Sequence, residues 1–433
     1  MALTDVRSFA VIAAQRLTAP WSWHTRRVTI AGVTAVCEEL RADPLHNLSL
    51  NSKELFHSNL LAWLATEYPR EVVTIFEGIV GAGDPGEGSV ADRERAGLDL
   101  VLRLPGRRTA VIENKVWSLP DDYQLARYAS GPLSKFDSQA ATILLSLTAP
   151  HWDERQRVLG GRTWRHLGYD DLADRLAEVA TRIRTGGSAD DRFAGDLVER
   201  YTIFVRRLCR VAELAAIVRG TDSVALDSET QRALARARVH DGVAKLRAHQ
   251  VVEAIRRRLF ELEPTVEDVD PDDARAAGFE RGAGWKFVRI GKRVVGLEAG
   301  FTNGNPLNSG QVAIGNGDRL IWQYQTGQWR LAIATQQHAG RTDALRQLRH
   351  DYIERTYQPW FDFSRVAAAL GADRAECVPV RAKDPRFQRY DPDFAYRYCR
   401  VDDPTRLTLD ELVELAVGYL RAAAAWPEKQ GAP

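Results

Sequence analysis

The sequence contains little sulfur: its 433 residues include four cysteines and one methionine. No pair of cysteines has a spacing such as C-x-x-C, so neither a disulfide framework nor a zinc site is expected. We expect reduced thiols that pack as small apolar side chains. The four cysteines are Cys37, Cys209, Cys377 and Cys399.

The sequence also lacks a long apolar run and a secretion signal. No stretch approaches the roughly 20 apolar residues that a transmembrane helix needs. The first residues, with Asp5 and Arg7, show no basic segment followed by an apolar one and a small-residue cleavage site. We therefore expect a cytoplasmic protein without membrane contact. The formal net charge of +1 neither indicates nor excludes nucleic acid, because a duplex binder needs a local basic surface rather than a basic total.

Breaks rich in glycine, proline and aspartate divide the sequence into four predicted units. The second unit alternates helical and strand patterns, which is typical of an α/β fold. The last unit predicts a separate α+β domain that recognises a substrate, a partner or an effector. The units are an N-terminal helical segment (1–47), the α/β domain (48–220), a helical connector (221–263) and the C-terminal α+β domain (264–433).

Two segments of the C-terminal unit, 285–301 and 320–335, alternate apolar and polar residues as half-buried strands do. In the second segment, the Thr326-Gly327-Gln328 break indicates a hairpin turn. Helices are predicted over 342–355 and 408–425.

The aromatic and basic residues toward the C-terminus leave more than one interpretation open. The aromatic stripe could stack on unpaired bases, but aromatic side chains at strand spacing usually form a sheet core, which we prefer. The basic groups could follow a phosphate backbone, and solvated surfaces explain them equally well. The stripe comprises Trp285, Trp322, Tyr324 and Trp329, and the basic groups comprise Arg256, Arg257, Arg258, Arg289, Lys292, Arg293, Arg346, Arg349 and His350.

The residues with the clearest chemistry lie in a predicted hairpin over 98–117, where two apolar strands flank a Pro-Gly turn. Strand alternation puts Glu113 and Lys115 on one face, with apolar neighbours on the other. If the loop holds an odd number of residues, Asp99 of the first strand lies opposite Glu113 on the same face. An even loop would separate them, and a charged face turned to solvent is the alternative interpretation.

Two carboxylates beside an ammonium group suit a hard divalent cation. Mg²⁺ takes oxygen ligands from one or two carboxylates and keeps several waters. It would also offset the repulsion between Asp99 and Glu113. Lys115 could orient or deprotonate the attacking water, or stabilise the charge that develops on a phosphoryl group. We therefore expect a Mg²⁺ site in which Mn²⁺ can substitute.

Two predicted helices add candidates around this hairpin. Glu54 and His57 are three residues apart and share a helix face, which makes Glu54 a candidate metal ligand and His57 a candidate phosphate contact. Gln124 and Tyr128 are four apart on the helix after the hairpin, where Gln124 could position the water and Tyr128 could support it or contact substrate. The simpler interpretations are a surface histidine with a local partner and a packing tyrosine.

The order of these residues resembles the D…(D/E)-x-K signature of the PD-(D/E)XK nuclease superfamily, with Asp99 followed by Glu113-Asn114-Lys115. The resemblance covers about residues 48–220 and extends to an uncharacterised bacterial branch with an E…HS.LLAWL first helix and a Q..RY second helix. Leu98 stands where the signature has proline, a common substitution in the superfamily. The resemblance implies a restriction-endonuclease-like fold, with a mixed central sheet flanked by helices.

The same resemblance implies a Mg²⁺-dependent nuclease that hydrolyses phosphodiester bonds, above all those of DNA. It implies metal ligation by Glu54, Asp99 and Glu113, with Lys115 acting on water and Gln124 positioning it. By analogy with the superfamily alone, it also implies a bacterial defence effector and a homodimer that cuts both strands. Two alternatives stay open: a catalytically inactive module that binds nucleic acid or protein, and a hydrolase of RNA or nucleotides on the same fold.

Overall fold

The computed structural model shows a mixed α/β protein with two β-sheets, one in each half of the chain. None of its helices, among the residues described, combines the length and the apolar character needed to cross a membrane. The described residues are 30–50, 53–83, 90–95, 97–120, 122–150, 152, 155–269, 271–279, 285–302, 305–315, 317–335, 352–371, 373–378, 388–391 and 394–427.

The first half folds around a six-stranded mixed sheet. Its elements are α1 (Ile30–Ala42), α2 (Pro44–Ser49), α3 (Lys53–Glu67), α4 (Pro69–Ile75), β1 (Val90–Arg95), β2 (Leu98–Arg103), β3 (Ala110–Lys115), α5 (Asp122–Ser130), β4 (Ala141–Ser146), β5 (Gln156–Leu159), β6 (Arg162–Gly168), α6 (Tyr169–Arg184) and α7 (Ala189–Ala215). The strand order is β1-β2-β3-β4-β6-β5. Strands β3, β4 and β6 are parallel, and the other neighbours are antiparallel.

Apolar residues cover both faces of this sheet. On one face, Leu100, Ile112 and Ile143 belong to a large core that also contains residues of α1, α3, α4, α6 and α7. On the other face, Val101 and Val111 pack with side chains of α5 and with Trp164. Helices therefore flank the sheet, as predicted; a specifically restriction-endonuclease-like fold stays a prediction.

The β2–β3 hairpin has the register that the site requires. Leu100 pairs with Ile112 and Leu102 pairs with Ala110, in an antiparallel ladder. Seven residues, an odd number, separate the last pair. Extending the ladder by one residue puts Asp99 opposite Glu113. The predicted register is confirmed.

The second half folds around a nine-stranded sheet. Its elements are α8 (Ser228–Arg236), α9 (His240–Leu262), β7 (Glu267–Asp268), α10 (Pro271–Ala276), β8 (Trp285–Ile290), β9 (Arg293–Thr302), β10 (Asn305–Gly315), β11 (Asp318–Gln325), β12 (Gln328–Ala334), α11 (Ser364–Leu370), β13 (Ala375–Val378), β14 (Gln388–Asp391), β15 (Phe394–Val401) and α12 (Leu409–Ala424). Every pairing in this sheet is antiparallel.

The predicted β11–β12 hairpin is confirmed. Its two-residue turn has positive φ at both Thr326 (50°) and Gly327 (74°), the backbone that matches the twist of the flanking strands. The predicted helix at 408–425 is α12, which Thr408 caps together with Glu411. The predicted helix over 342–355 falls mostly outside the described residues, although residues 352–357 are helical. Arg346, Arg349 and His350 also lie outside them.

The aromatic stripe of the second sheet is core. Trp322 and Trp329 are both fully buried and stack with their ring centroids 5.2 Å apart. Tyr324 is also buried, and Trp285 is half-buried against Phe287. An indole inside the fold cannot stack on a base, so the structure favours the core interpretation.

The two cores cross the unit boundaries expected at residues 47 and 221. Residues of α1, such as Cys37 and Leu40, and of α8, such as Leu234, belong to the core of the first sheet. The C-terminal part of α9 belongs to the core of the second sheet. Cys37 and Cys209 are free thiols.

Candidate active site

Neighbouring strands bring three predicted residues together. Asp99 lies on β2, and Glu113 and Lys115 lie on β3, with side chains on one face of the hairpin. The backbone N–H of Asn114 donates to Asp99 Oδ2 over 2.8 Å, which fixes the aspartate against the neighbouring strand. Lys115 Nζ lies 2.7 Å from Glu113 Oε1. The sheet itself thus assembles these charged groups.

Glu113 is at the centre of the cluster and is 1% exposed. Its Oε1 accepts hydrogen bonds from Gln124 Nε2 over 3.0 Å and from the Tyr128 hydroxyl over 3.3 Å, in addition to the contact with Lys115. Its Oε2 is equally buried, and no donor among the described residues reaches it. A buried carboxylate oxygen without a donor is costly, so this atom marks the place where a cation fits.

Burial is the largest influence on both carboxyl groups. It raises the pKa of Glu113 to about 7, against the opposing effect of Lys115. It also raises the pKa of Asp99, against the Asn114 N–H and Lys115. The charge on Asp99 raises the pKa of Glu113 further. A divalent cation bound by both carboxylates would favour the ionised form of each.

The same contacts keep Lys115 charged. Burial acts to lower the pKa of its ammonium group, but Glu113, Glu54 and Asp99 together raise it above the ordinary value. A lysine that holds its proton is suited to stabilise developing negative charge and is poorly suited to remove a proton from water. Of the predicted roles for Lys115, the geometry favours electrostatic stabilisation.

Gln124 and Tyr128 hold Glu113 in place from α5. Gln124 Nε2 donates to both the Tyr128 hydroxyl, over 2.6 Å, and Glu113 Oε1. Tyr128 is 7% exposed and also packs against Trp164, so it is both a packing residue and a partner of the site. The predicted membership of Gln124 is supported, although its amide N–H reaches the carboxylate rather than open space.

Glu54 lies beside the pair but is bonded elsewhere. Its Oε1 accepts a hydrogen bond from Val116 N–H over 3.3 Å and one from the Ser118 hydroxyl. Among the residues described, no group of three or more histidine, cysteine, aspartate or glutamate side chains is arranged to hold a metal ion. The described residues therefore do not assemble the expected set of three ligands, and Asp99 and Glu113 stay the candidate pair. Glu54 fixes the chain that follows Lys115.

His57 requires a correction. Its ring is 1% exposed, stacks on Phe204 and has Nδ1 2.6 Å from the Tyr201 hydroxyl. Burial lowers its pKa to about 3, so it is neutral at physiological pH. A neutral ring enclosed by α7 does not contact a phosphate, and His57 is a core residue.

Asn114 is the residue that the sequence analysis missed. Its side-chain N–H groups donate to the Glu54 carbonyl over 2.9 Å and to the Ser58 hydroxyl over 3.1 Å. Its side-chain oxygen accepts from the Tyr169 hydroxyl over 2.6 Å. Asn114 thereby joins α3 and α6 to the strand that carries Glu113. The sequence did carry a signal for this role, because a primary amide at a core-facing strand position needs hydrogen-bond partners.

The two carboxylates fit the predicted metal. Mg²⁺ is commonly held by one or two carboxylates together with waters, so a pair suffices. The Oε2 atom of Glu113, which lacks a donor, and the adjacent Asp99 supply hard oxygen ligands. The donor set favours Mg²⁺ or Mn²⁺ over zinc, because it has neither thiolate nor imidazole.

Comparison with protein-family models, with curated proteins and with solved structures finds no match for this chain. Support for a function therefore comes from the geometry of the site and from the sequence pattern.

Proposed function

We propose that this chain is a divalent-metal-dependent nuclease that hydrolyses phosphodiester bonds, with DNA as its substrate. The observation that carries the proposal is the convergence of Asp99, Glu113 and Lys115 at one point, where Glu113 Oε2 is buried and receives no hydrogen bond from the described part of the chain. A purely structural ion pair would need Lys115 and Glu113 alone. It would not explain a second carboxyl group held beside them.

Asp99 and Glu113 would hold the cation. When bound, Mg²⁺ supplies Lewis acidity, which activates water and offsets charge on the phosphoryl group. The oxygen of water forms a bond to phosphorus and loses a proton to solvent, while the bond from phosphorus to the leaving sugar oxygen breaks and that oxygen takes up a proton from solvent. Lys115 stabilises the negative charge that this displacement develops. Gln124 and Tyr128 keep the Glu113 carboxylate aimed at the site.

A cleavage assay tests this proposal directly. The full chain is incubated with duplex DNA, single-stranded DNA and RNA, each with Mg²⁺, Mn²⁺ or a chelator. We expect metal-dependent cleavage of DNA and a loss of about a thousandfold or more in Glu113→Gln and Lys115→Met. Asp92→Asn, on the neighbouring strand β1, and Lys135→Met, at an exposed position, are matched controls that should retain activity.

Other outcomes assign the site differently. If the chain cleaves only RNA or only nucleotides, and the same variants abolish that cleavage, the proposed catalytic centre stands and the proposed substrate is wrong. A folded protein that binds nucleic acid but cuts nothing with either metal contradicts the nuclease proposal.

A binding or regulatory module is the second candidate, because Lys115 already occupies one oxygen of Glu113. The homodimer, the cytoplasmic location and the defence role stay predictions.

A further inference from the structure

A cleft with strong positive charge lies in the second half of the chain. It is open to solvent and is lined by the β8–β9 turn, the start of β9 and the C-terminal end of α12. Its volume of about 760 Å³ lies within the range typical of small-molecule sites. The residues that give it chemical character are Glu263, Lys292, Arg293, Arg365, Arg421 and Trp426.

Four of these residues are cations and one is an acid. Glu263 pairs with Arg421 over 2.8 Å. Lys292 is exposed, directly after Gly291 at the tip of the turn. Neither Lys292 nor Arg365 forms an ion pair among the described residues. The cleft therefore carries a formal charge of +3, which is unusual for the surface of a chain whose total is +1.

Helix capping explains only part of this charge. Arg365 Nη1 donates to the Gly418 carbonyl over 2.9 Å, and Arg293 Nη2 donates to the Trp426 carbonyl over 3.2 Å. Cations near the C-terminus of a helix are favourable because they interact with its last carbonyl groups and with the helix dipole. The guanidinium of Arg365 has five N–H donors, however, and its bond to Gly418 uses one. Among the described residues, Lys292 donates to no carbonyl and caps no helix.

Apolar groups form the other part of the cleft. Ile290 is nearly buried, and Ala422 and Ala425 belong to the last turns of α12. Trp426 is half-buried and stacks on Tyr357 with an interplanar angle of 29°. A ligand that fills this space needs an anionic end for the cations and an apolar or flat portion for these side chains.

We propose that this cleft binds a small organic phosphate of the nucleotide type. Its phosphate groups lie at Lys292, Arg365 and Arg421, where N–H donors and positive charge converge. Its base and sugar lie against Ile290 and Trp426. The site is separate from the catalytic one, because about 21 residues of α9 lie between Gly242, beside Trp117, and Glu263, a distance of about 30 Å.

The test measures binding to the full chain by titration calorimetry, with a chelator present to silence the metal-dependent centre. The probes are ATP, inorganic pyrophosphate and adenosine. We expect ATP to bind, pyrophosphate to bind more weakly and adenosine to bind at least about tenfold more weakly than ATP. Lys292→Glu should weaken ATP binding about tenfold or more, while the matched exposed variant Lys135→Glu leaves it unchanged.

A second variant separates binding from structure. Glu263→Gln removes the one carboxylate of the cleft and frees Arg421, so ATP should bind severalfold more tightly. A defect in folding would not produce that gain. Asp99→Asn should leave ATP binding unchanged.

Three outcomes overturn the proposal. The first is the absence of ATP and pyrophosphate binding at millimolar concentration. The second is an equal effect of Lys292→Glu and Lys135→Glu. The third is a loss of single-stranded DNA binding in Lys292→Glu with ATP binding intact, which would assign the cleft to a nucleic-acid backbone.

Discussion

Two glutamates, the buried Glu113 in the first half of the molecule and the half-buried Glu298 in the second, have similarly raised pKa values in different surroundings. Burial raises the pKa of both Glu113 and Glu298 to about 7. Glu113 lies among Lys115, Asp99 and Tyr128, which act on it in opposite directions. Burial alone accounts for the shift at Glu298. A raised pKa therefore does not identify a functional site, whereas convergence of several charged side chains does.

The same contrast extends to the two cores. The centre of the first sheet contains buried polar residues, Glu113 and Asn114, with partners on several helices. The centre of the second sheet contains Trp322 and Trp329, both fully buried. The first half holds a buried charge at its centre through hydrogen bonds, and the second half packs two indole rings at its centre. Four predictions test this difference, from the largest expected effect to the smallest.

Trp329→Ala should cost about 3–5 kcal/mol in the free energy of unfolding, because it removes a large ring from the second core. The indole stacks on Trp322 and contacts Tyr419, with ring centroids 5.6 Å apart. Denaturant unfolding measures the change. Phe193→Ala, at a ring that is 71% exposed, is the control and should cost little. Equal costs for the two variants would refute the aromatic core.

Asn114→Ala should cost about 2–3 kcal/mol, because it leaves the buried Tyr169 hydroxyl without its partner and removes the bonds to Glu54 and Ser58 of α3. Thermal unfolding at constant pH measures the change. The matched variant Asn59→Ala removes a half-buried amide of the same helix α3 that bonds the exposed Arg93, and its effect should be small. If Asn114→Ala left the free energy of unfolding unchanged, the stability of the first half would not depend on this hydrogen-bond network.

Glu298→Gln should alter how stability depends on pH. Folding raises the pKa of Glu298 from 4.5 to about 7. The stability that this carboxyl group contributes to the folded state is therefore fully present below about pH 4.5 and is lost as the pH rises through about 7. The variant cannot ionise and should gain about 1–3 kcal/mol over the wild type between pH 5 and pH 8. Urea unfolding at both values measures the gain. A constant difference would show that Glu298 is not desolvated.

The capping boxes should give the smallest effects. Each half has a long helix with this motif, Ser188 with Asp191 on α7 and Thr408 with Glu411 on α12. Replacement of either cap residue by alanine should cost about 1 kcal/mol. Thr408→Ala should cost more than Ser188→Ala, because Thr408 is partly buried and Ser188 is exposed. Denaturant unfolding curves of the two variants show which substitution lowers the free energy of unfolding more.

Local patterns predicted much of the site. The two-residue period of β2 and β3 and the odd loop were sufficient to place Asp99 opposite Glu113. Helical spacing likewise placed Gln124 next to Tyr128. Each of these contacts joins residues that are close in sequence or whose pairing is set by the register of one hairpin.

Relations between distant segments escaped prediction. His57 shares a helix with Glu54, but Tyr201 and Phe204 of α7 enclose it, and no local pattern reports that packing. Asn114 likewise meets Ser58 and Tyr169 only after three elements pack together. The basic cleft joins residues 263, 292, 293, 365 and 421, of which the sequence analysis named only Lys292 and Arg293.

Gly242 has a consequence for movement between the two halves. The indole of Trp117 fills the space that a Cβ atom at position 242 would occupy, so α9 touches the chain two residues beyond Lys115. The Tyr123 hydroxyl, one residue before Gln124, also lies within 3.4 Å of Arg275 from the second half. A rotation of one half against the other would disturb both contacts. Through Trp117 and Tyr123, a movement of the second half would therefore reach the near neighbours of Lys115 and Gln124 in the first half.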